Sequence, residues 1–218
     1  MSSNESPISP QRRRIERGYQ AGMIAVTLLF SILMIACSEK GSEPAKSPAR
    51  QNQPNRTAVM ETDAGNIKFE LLENEAPKTA ENFRLLAERG YYNGTIFHRV
   101  MSGFMIQGGD PNGDGTGGQT ATGQPLPNEI NRSSPLYQGG YRRGLVAMAN
   151  KGTPETGSSQ FFIMHQTYPL QPNYTVFGRV VEGMDVVDKI ATAATTLGPN
   201  GEKSRPVTPV KVNKVYVQ

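Results

Sequence analysis

Two short apolar runs, residues 96–100 and 104–107, flank a Ser-Gly pair at 102–103, and this pattern restricts the fold more than any other stretch. Ser and Gly between apolar runs favour a tight turn, so the pattern predicts two strands joined as a hairpin. Arg99 and Gln107 are unusual in such strands, because burying a guanidinium or an amide without a partner costs several kcal/mol. Either the fold supplies an acidic or turn partner for each of them, or a bound ligand does.

These residues belong to a longer motif. From Phe97 the chain reads Phe-His-Arg-Val, and from Gly103 it reads Gly-Phe-Met-Ile-Gln-Gly-Gly-Asp. The motif resembles the signature of cyclophilins, the peptidyl-prolyl cis-trans isomerases. Three further blocks agree with that family in the same order: residues 144–150 (Gly-Leu-Val-Ala-Met-Ala-Asn), 157–163 (Gly-Ser-Ser-Gln-Phe-Phe-Ile) and 175–185 (Thr-Val-Phe-Gly-Arg-Val-Val-Glu-Gly-Met-Asp). The resemblance covers residues 58–218, which we therefore expect to form a cyclophilin-type isomerase domain.

The start of the chain has the pattern of a targeting segment. Residues 1–36 combine arginines at positions 12, 13, 14 and 17 with an apolar run over residues 21–36, which is typical of a signal peptide. As a helix this run rises about 24 Å, less than the ~30 Å of a bilayer's hydrocarbon core. An uncleaved membrane helix is therefore the second interpretation.

Cys37 follows Met-Ile-Ala and resembles the modified Cys of the lipobox in bacterial lipoproteins, although a chance apolar Cys is the alternative. The resemblance predicts a bacterial protein cleaved before Cys37 and anchored to a membrane through acyl chains on its thiol. We therefore expect an extracytoplasmic location in the cell envelope, on the periplasmic face in a Gram-negative cell. Residues 37–57 then form a flexible linker, since they are polar and Pro-rich after the Cys.

From residue 58 the pattern favours many short strands and two helices. Pro77 begins a helical pattern of about thirteen residues that ends before Gly90, and residues 184–193 predict a second helix. Strands are expected at residues 59–62, 67–72, 145–149, 160–165, 174–181 and 210–217, in addition to the hairpin. This content is typical of a β-rich barrel. The resemblance implies a closed, eight-stranded antiparallel barrel capped by two α-helices. Residues 125–143 are irregular and receive no role.

Composition excludes several kinds of site. The chain has two His and one Cys, which makes a zinc site improbable, and it has no Gly-x-Ser-x-Gly motif. The Gly-rich residues 108–123 imitate a calcium loop, but Ala121 stands where a bidentate Glu is required. Without residues 1–36 the net charge falls from +4 to +2, so no basic face for nucleic acid is expected. We predict no metal and no cofactor.

Prolyl isomerisation needs neither a metal nor a covalent nucleophile. Its barrier is amide resonance, roughly 18–20 kcal/mol, and no bond breaks. In the twisted transition state the prolyl nitrogen regains its lone pair, which a fixed donor stabilises selectively. Arg99 is the candidate donor, because its charge is permanent and its N–H groups form a rigid fork.

The resemblance implies the remaining site residues. Gln107 and Phe104 complete the predicted catalytic set with Arg99, and Gln107 and the Asn150 backbone hold the substrate chain. Phe104, Met105, Phe162 and Leu170 form an apolar slot for the proline ring, and His98 orders the pocket. The predicted substrate-binding residues are Met105, Ala149, Asn150, Gln160, Phe162, Leu170, Tyr174 and His98.

We expect a monomeric enzyme that acts on proline-containing polypeptides, namely folding extracytoplasmic proteins. A non-catalytic module that binds proline peptides in the cell envelope is the alternative, because a slot and a donor also suffice for binding. Three departures from many eukaryotic cyclophilins leave the subsite preference open. The chain has no Trp, Tyr174 stands where those members have His, and Lys151 replaces the small residue after the Asn.

Overall fold

The computed structural model of the protein describes residues 54–153 and 155–218. The predicted signal peptide, Cys37 and residues 37–53 of the predicted linker lie outside this part. Within it, no helix has the length and apolar character needed to cross a bilayer. The helices are α1 (Pro77–Glu88) and α2 (Met184–Ala191). The strands are β1 (Thr57–Thr62), β2 (Gly65–Leu71), β3 (Arg99–Met101), β4 (Met105–Gly108), β5 (Leu145–Met148), β6 (Phe161–Met164), β7 (Val176–Glu182), β8 (Thr195–Leu197), β9 (Lys203–Pro206) and β10 (Val212–Val217).

Eight strands form one sheet in the order β10-β1-β2-β7-β5-β6-β4-β3, and every pairing in it is antiparallel. The sheet curls, so that segments ahead of its two edge strands meet. Ile96 forms a bridge with Lys211, and the Gly94 N–H donates to the Val212 carbonyl over 2.7 Å. The predicted mainly β fold, an eight-stranded antiparallel barrel with two helices, is confirmed in the form of a curled eight-stranded sheet. The Ile96–Lys211 bridge and backbone hydrogen bonds, rather than a continuous ladder, join its edges.

The central strands are buried on both faces. All residues of β5 and β6 are buried, which explains why their sequences are continuously apolar rather than alternating. One face packs on the core that contains the helices, where the Phe83 ring of α1 lies 5.4 Å from Phe177 and 5.7 Å from Phe161. The other face carries a second apolar cluster that includes Met105, Phe162, Met164 and Val176. The second face therefore provides a surface on which a site can be built.

Helix α1 is capped by a residue from a distant segment. Its N-cap, Ala76, has no side chain able to accept a hydrogen bond, and Pro77 follows. The Glu129 carboxylate instead accepts from the Lys78 N–H over 3.0 Å and from the Thr79 N–H over 2.8 Å. Negative charge at a helix N-terminus is stabilising, because the first N–H groups of a helix have no partner within it. Residues 125–143, which received no role from the sequence, thus help to fix α1.

The sequence patterns missed the two-stranded sheet of β8 and β9. Its strands are only 3 and 4 residues long, and β9 has no branched aliphatic or aromatic residue in its sequence, although its burial alternates. The turn between them was visible in the sequence, since Gly198-Pro-Asn-Gly201 is a strong turn signal. The hairpin packs near β3, the strand that begins at Arg99.

We predict that Glu129→Ala lowers the free energy of unfolding by about 1–2 kcal/mol, because it removes the acceptor for the first N–H groups of α1. Urea denaturation followed by circular dichroism measures this loss. Glu182→Ala is the matched control: it removes an equally charged side chain from an exposed pair with Lys68 and should cost less than ~0.5 kcal/mol. Equal losses in the two variants would contradict the capping role.

Candidate active site

The β3–β4 hairpin brings the two unusual polar residues together. Arg99 lies directly opposite Gln107 in the ladder, and Gly103 forms the connecting turn with a φ of 81°, a conformation that favours Gly. Directly opposed residues point to the same face of a sheet. The Arg99 Nη1 donates to Gln107 Oε1 over 3.3 Å. Both groups therefore find partners inside the fold and still face the same surface.

A cavity of about 130 Å³ opens beside this pair on the second face of the sheet. It is lined by most of the residues predicted for the site: Arg99, Phe104, Met105, Gln107, Ala149, Asn150, Phe162, Leu170 and Tyr174. The Arg99 guanidinium lies 5.9 Å from the centre of the Phe104 ring, and the Phe162 and Tyr174 rings meet edge to face at 5.3 Å. The cavity thus combines apolar walls with one cationic edge, and we call it the slot.

Gln160 lies behind the slot and orients its polar wall. Gln107 Nε2 donates to Gln160 Oε1 over 3.0 Å, and Gln160 Nε2 donates to the carbonyls of Gly115 and Gly117 over 3.0 and 2.7 Å. Because Gln107 Oε1 already accepts from Arg99, both amides have only one orientation that satisfies these bonds. The Gly-rich loop at residues 108–123 therefore fixes the direction in which Gln107 presents its groups.

His98 is placed apart from the slot. It lines a second cavity of about 280 Å³, which has Arg99 and Gln107 in its wall as well. Burial lowers the pKa of His98, and the charge of Arg99 lowers it further, whereas Asp110 and Asp114 act to raise it. Its ring nitrogens have no hydrogen-bond partner among the described residues. His98 is therefore a neutral side chain at neutral pH, and its cavity shares the Arg99–Gln107 pair with the slot.

The rim of the slot is fixed by polar contacts. The Asn150 side chain donates to the Asn173 carbonyl over 2.8 Å and accepts from the Gly152 N–H over 3.0 Å, which holds the backbone at residue 150. The Tyr141 hydroxyl donates to the Tyr174 carbonyl over 2.7 Å and accepts from the Tyr174 N–H over 2.9 Å. Burial raises the pKa of Tyr141 to about 12, so the hydroxyl keeps its proton. Sequence reasoning missed Tyr141, which lies in the irregular segment 125–143.

Sequence reasoning also missed Glu202, which lies between β8 and β9. Its carboxylate accepts from Arg99 Nε over 2.6 Å and from Arg99 Nη2 over 2.9 Å. These hydrogen bonds to Arg99 lower the pKa of Glu202. No spacing in the sequence links residues 99 and 202. The turn signal at residues 198–201 could have indicated a hairpin near this position, but it gives no link to Arg99.

The curled sheet carries a slot with apolar walls beside a guanidinium that Glu202 and Gln107 hold in place. Residues 57–217 match the family described as Cyclophilin type peptidyl-prolyl cis-trans isomerase/CLD. The chain is 43% identical over 165 residues to Peptidyl-prolyl cis-trans isomerase CYP18-1 of Arabidopsis thaliana, covering 74% of this chain and 95% of that protein. It is 43% identical over 170 residues to Peptidyl-prolyl cis-trans isomerase-like 1 of Homo sapiens, covering 78% and 95%.

Solved structures agree with these relatives. A crystal structure of a Cryptosporidium parvum cyclophilin type peptidyl-prolyl cis-trans isomerase matches with a TM-score of 0.67 and 33% identity, covering 75% of this chain and 98% of that chain. A second crystal structure of that protein, in the presence of the dipeptide Ala-Pro, matches with a TM-score of 0.66. The chain therefore belongs to the cyclophilin-type peptidyl-prolyl cis-trans isomerases, and its activity is the cis-trans isomerisation of X-Pro bonds.

The comparisons correct the expected location. The relatives come from plants, fungi and animals, and they are named as peptidyl-prolyl isomerases rather than as bacterial envelope lipoproteins. The prediction of a lipid-anchored, extracytoplasmic location in the cell envelope is wrong by this comparison. It rested on a short apolar pattern, which many unrelated N-terminal segments can reproduce.

We predict that stability falls as the pH drops from about 7 to 5, because His98 resists protonation when folded but not when unfolded. The pKa of His98 is lowered in the folded state. Below pH 6.5, the ordinary pKa of a His, the unfolded chain therefore binds more protons than the folded protein, and this favours unfolding. Chemical denaturation at several pH values measures the slope. The slope should be smaller in His98→Gln. An identical slope in that variant would contradict the assignment.

Proposed function

We propose that Arg99 accelerates rotation of the X-Pro bond by donating a hydrogen bond toward the prolyl nitrogen as the amide twists. The supporting observation is that Arg99 lines the slot while Glu202 holds its Nε and Nη2 groups. A donor fixed in advance does not have to reorganise during the reaction, so it stabilises the transition state more than the planar ground states. An acceleration on the order of a hundred-thousandfold needs about 7 kcal/mol of such selectivity.

The apolar residues hold the proline ring in this proposal. Phe104, Met105, Phe162 and Leu170 supply walls without hydrogen-bonding groups other than the Met sulfur, which suits a ring that has no N–H to donate. Ala149 and Tyr174 complete the rim. A pocket of this kind excludes water around the prolyl nitrogen, and exclusion of water strengthens the electrostatic effect of Arg99.

Gln107 and Asn150 hold the peptide backbone on either side of the ring. Gln107 uses its oxygen and one N–H within the fold, which leaves one N–H and one oxygen lone pair for a substrate. Gln160 acts through Gln107 by fixing that amide, and His98 orders the neighbouring cavity as a neutral group. No proton has to move in the reaction, so none of these residues is needed as an acid or a base.

The substrates in this proposal are polypeptides that contain X-Pro bonds. The Ala-Pro dipeptide in the related Cryptosporidium parvum structure supports this class, because it contains the smallest unit of such a bond. Among the residues that line the slot, Arg99 alone is charged, and it is paired with Glu202. The slot therefore has no unpaired charge that would select a charged residue before proline. We expect the enzyme to act as a monomer.

We predict that Arg99→Ala lowers kcat/KM at least tenfold with the fold intact, because it removes a donor used mainly in the transition state. A protease-coupled assay on a proline tetrapeptide measures this, and circular dichroism checks the fold. Arg179→Ala, which breaks an exposed pair with Glu70, is the matched control and should keep full activity. A folded Arg99→Ala variant with unchanged kcat/KM would contradict the role. A wild type that binds the peptide without turnover would favour a non-catalytic binding module.

The division of the chain is also a proposal: residues 1–36 as a leader, 37–57 as a linker and 58–218 as the isomerase domain. We predict that the protein without residues 1–53 keeps kcat/KM within about twofold, because every residue assigned to the slot lies after residue 98. The same coupled assay tests it, and a tenfold loss would contradict the division. A bacterial source and a lipoprotein-like signal peptide stay predictions that rest on the sequence pattern alone.

A further inference from the structure

We propose that Glu202 is a positioning residue for isomerisation, which fixes the Arg99 guanidinium so that its opposite edge faces the slot. The proposal rests on the role assigned to Arg99 above. Glu202 takes the edge formed by Nε and Nη2, at 2.6 and 2.9 Å. A carboxylate that accepts from two N–H groups of one guanidinium sets its plane as well as its position, which a single hydrogen bond cannot do.

The remaining contacts of Arg99 leave its other edge usable. Nη1 donates to Gln107 Oε1 over 3.3 Å, a long hydrogen bond, and lies 3.9 Å from the Met105 sulfur. Nη2 lies 3.4 Å from the Met101 sulfur. Thioether sulfur is a weak acceptor, so N–H groups that face it can turn to a substrate at little cost. Glu202 thus holds the edge formed by Nε and Nη2, and the remaining N–H groups meet one long hydrogen bond to Gln107 and two thioether sulfurs.

Glu202 is itself held in place by the turn between β8 and β9. Its carbonyl accepts from the Gly198 N–H over 2.7 Å, and its own N–H donates to Asn200 Oδ1 over 3.2 Å. Gly201 has a φ of 76°, which favours Gly at this point of the turn. The carboxylate therefore extends from a backbone that is fixed on both sides, as a residue that orients another side chain requires.

A purely stabilising ion pair is the competing explanation. The side chains of Arg99 and Glu202 keep 30% and 27% of their accessible surface, and pairs with that much exposure contribute little to stability. A latch that withdraws Arg99 from the slot is a second explanation. Arg99 lines the slot while it is paired with Glu202, which opposes this. The stabilising pair, the latch and the positioning role each predict a different result for Glu202 variants. Measuring activity and stability together therefore distinguishes the three explanations.

The experiment compares Glu202→Ala and Glu202→Asp with wild type, Arg99→Ala and Glu182→Ala, the last as a matched change in a surface pair. Glu202→Ala should lower kcat about tenfold with little change in KM, since the slot is intact while its donor is no longer fixed. The melting temperature should fall by no more than about 3 °C. Glu202→Asp keeps the carboxylate and should recover part of the activity. Glu182→Ala should match wild type.

A spectroscopic signal reports the orientation directly. The Nε–H of Arg99, identified by its loss in Arg99→Ala, should give a sharp nitrogen–proton NMR resonance in wild type and lose it through solvent exchange in Glu202→Ala. Adding Glu202→Ala to Arg99→Ala should cause no further loss of activity, because the positioned group is gone. A Glu202→Ala variant with the kcat of wild type, or a higher one, overturns this proposal while Arg99→Ala keeps its tenfold or greater loss of kcat/KM. An Arg99→Ala variant with the kcat/KM of wild type overturns the assigned catalytic role instead.

Discussion

The register of four neighbouring strands is the constraint on which the site depends. Arg99 in β3 lies opposite Gln107 in β4, Gln107 lies opposite Phe162 in β6, and Phe162 lies opposite Ala147 in β5. These residues form one row across the same face of the sheet. Because side chains alternate between faces, a slip of one residue in any strand would move its member of the row into the core. The alternate residues Val100, Ile106, Ile163 and Val146 pack in that core and fix the register.

Both faces of the curled sheet therefore carry packed side chains, and the outer face is not simply exposed to solvent. The inner face is held by aromatic contacts around Phe83, and the outer face carries the apolar cluster that surrounds the slot. A well-packed inner layer allows the outer layer to be irregular without loss of position. This explains how loops with many Gly residues can border a site in which donor and acceptor distances are well defined.

The sequence alone predicted those elements whose structure depends on neighbouring residues. Pro77 at the start of α1, the turn at Gly103 and the apolar runs of β4 to β6 each follow from their own residues. The residues lining the slot came from the resemblance to a family, because nothing in the spacing of Phe104, Phe162 and Leu170 shows that they meet. Glu129, Tyr141 and Glu202 were missed for one shared reason. Each acts on a partner far along the chain, where no periodicity or turn signal connects the two.

The separation between Arg99 and Glu202 also bears on the synthesis of the protein. The two residues are 103 positions apart, and β10, which follows Glu202, must still pair with β1 at the beginning of the domain. Contacts of such long range form late, since the chain between them has to be ordered first. A growing polypeptide that has not yet reached residue 202 thus has its arginine without the carboxylate. The isomerase has to complete its own folding, prolines included, before Glu202 can hold Arg99.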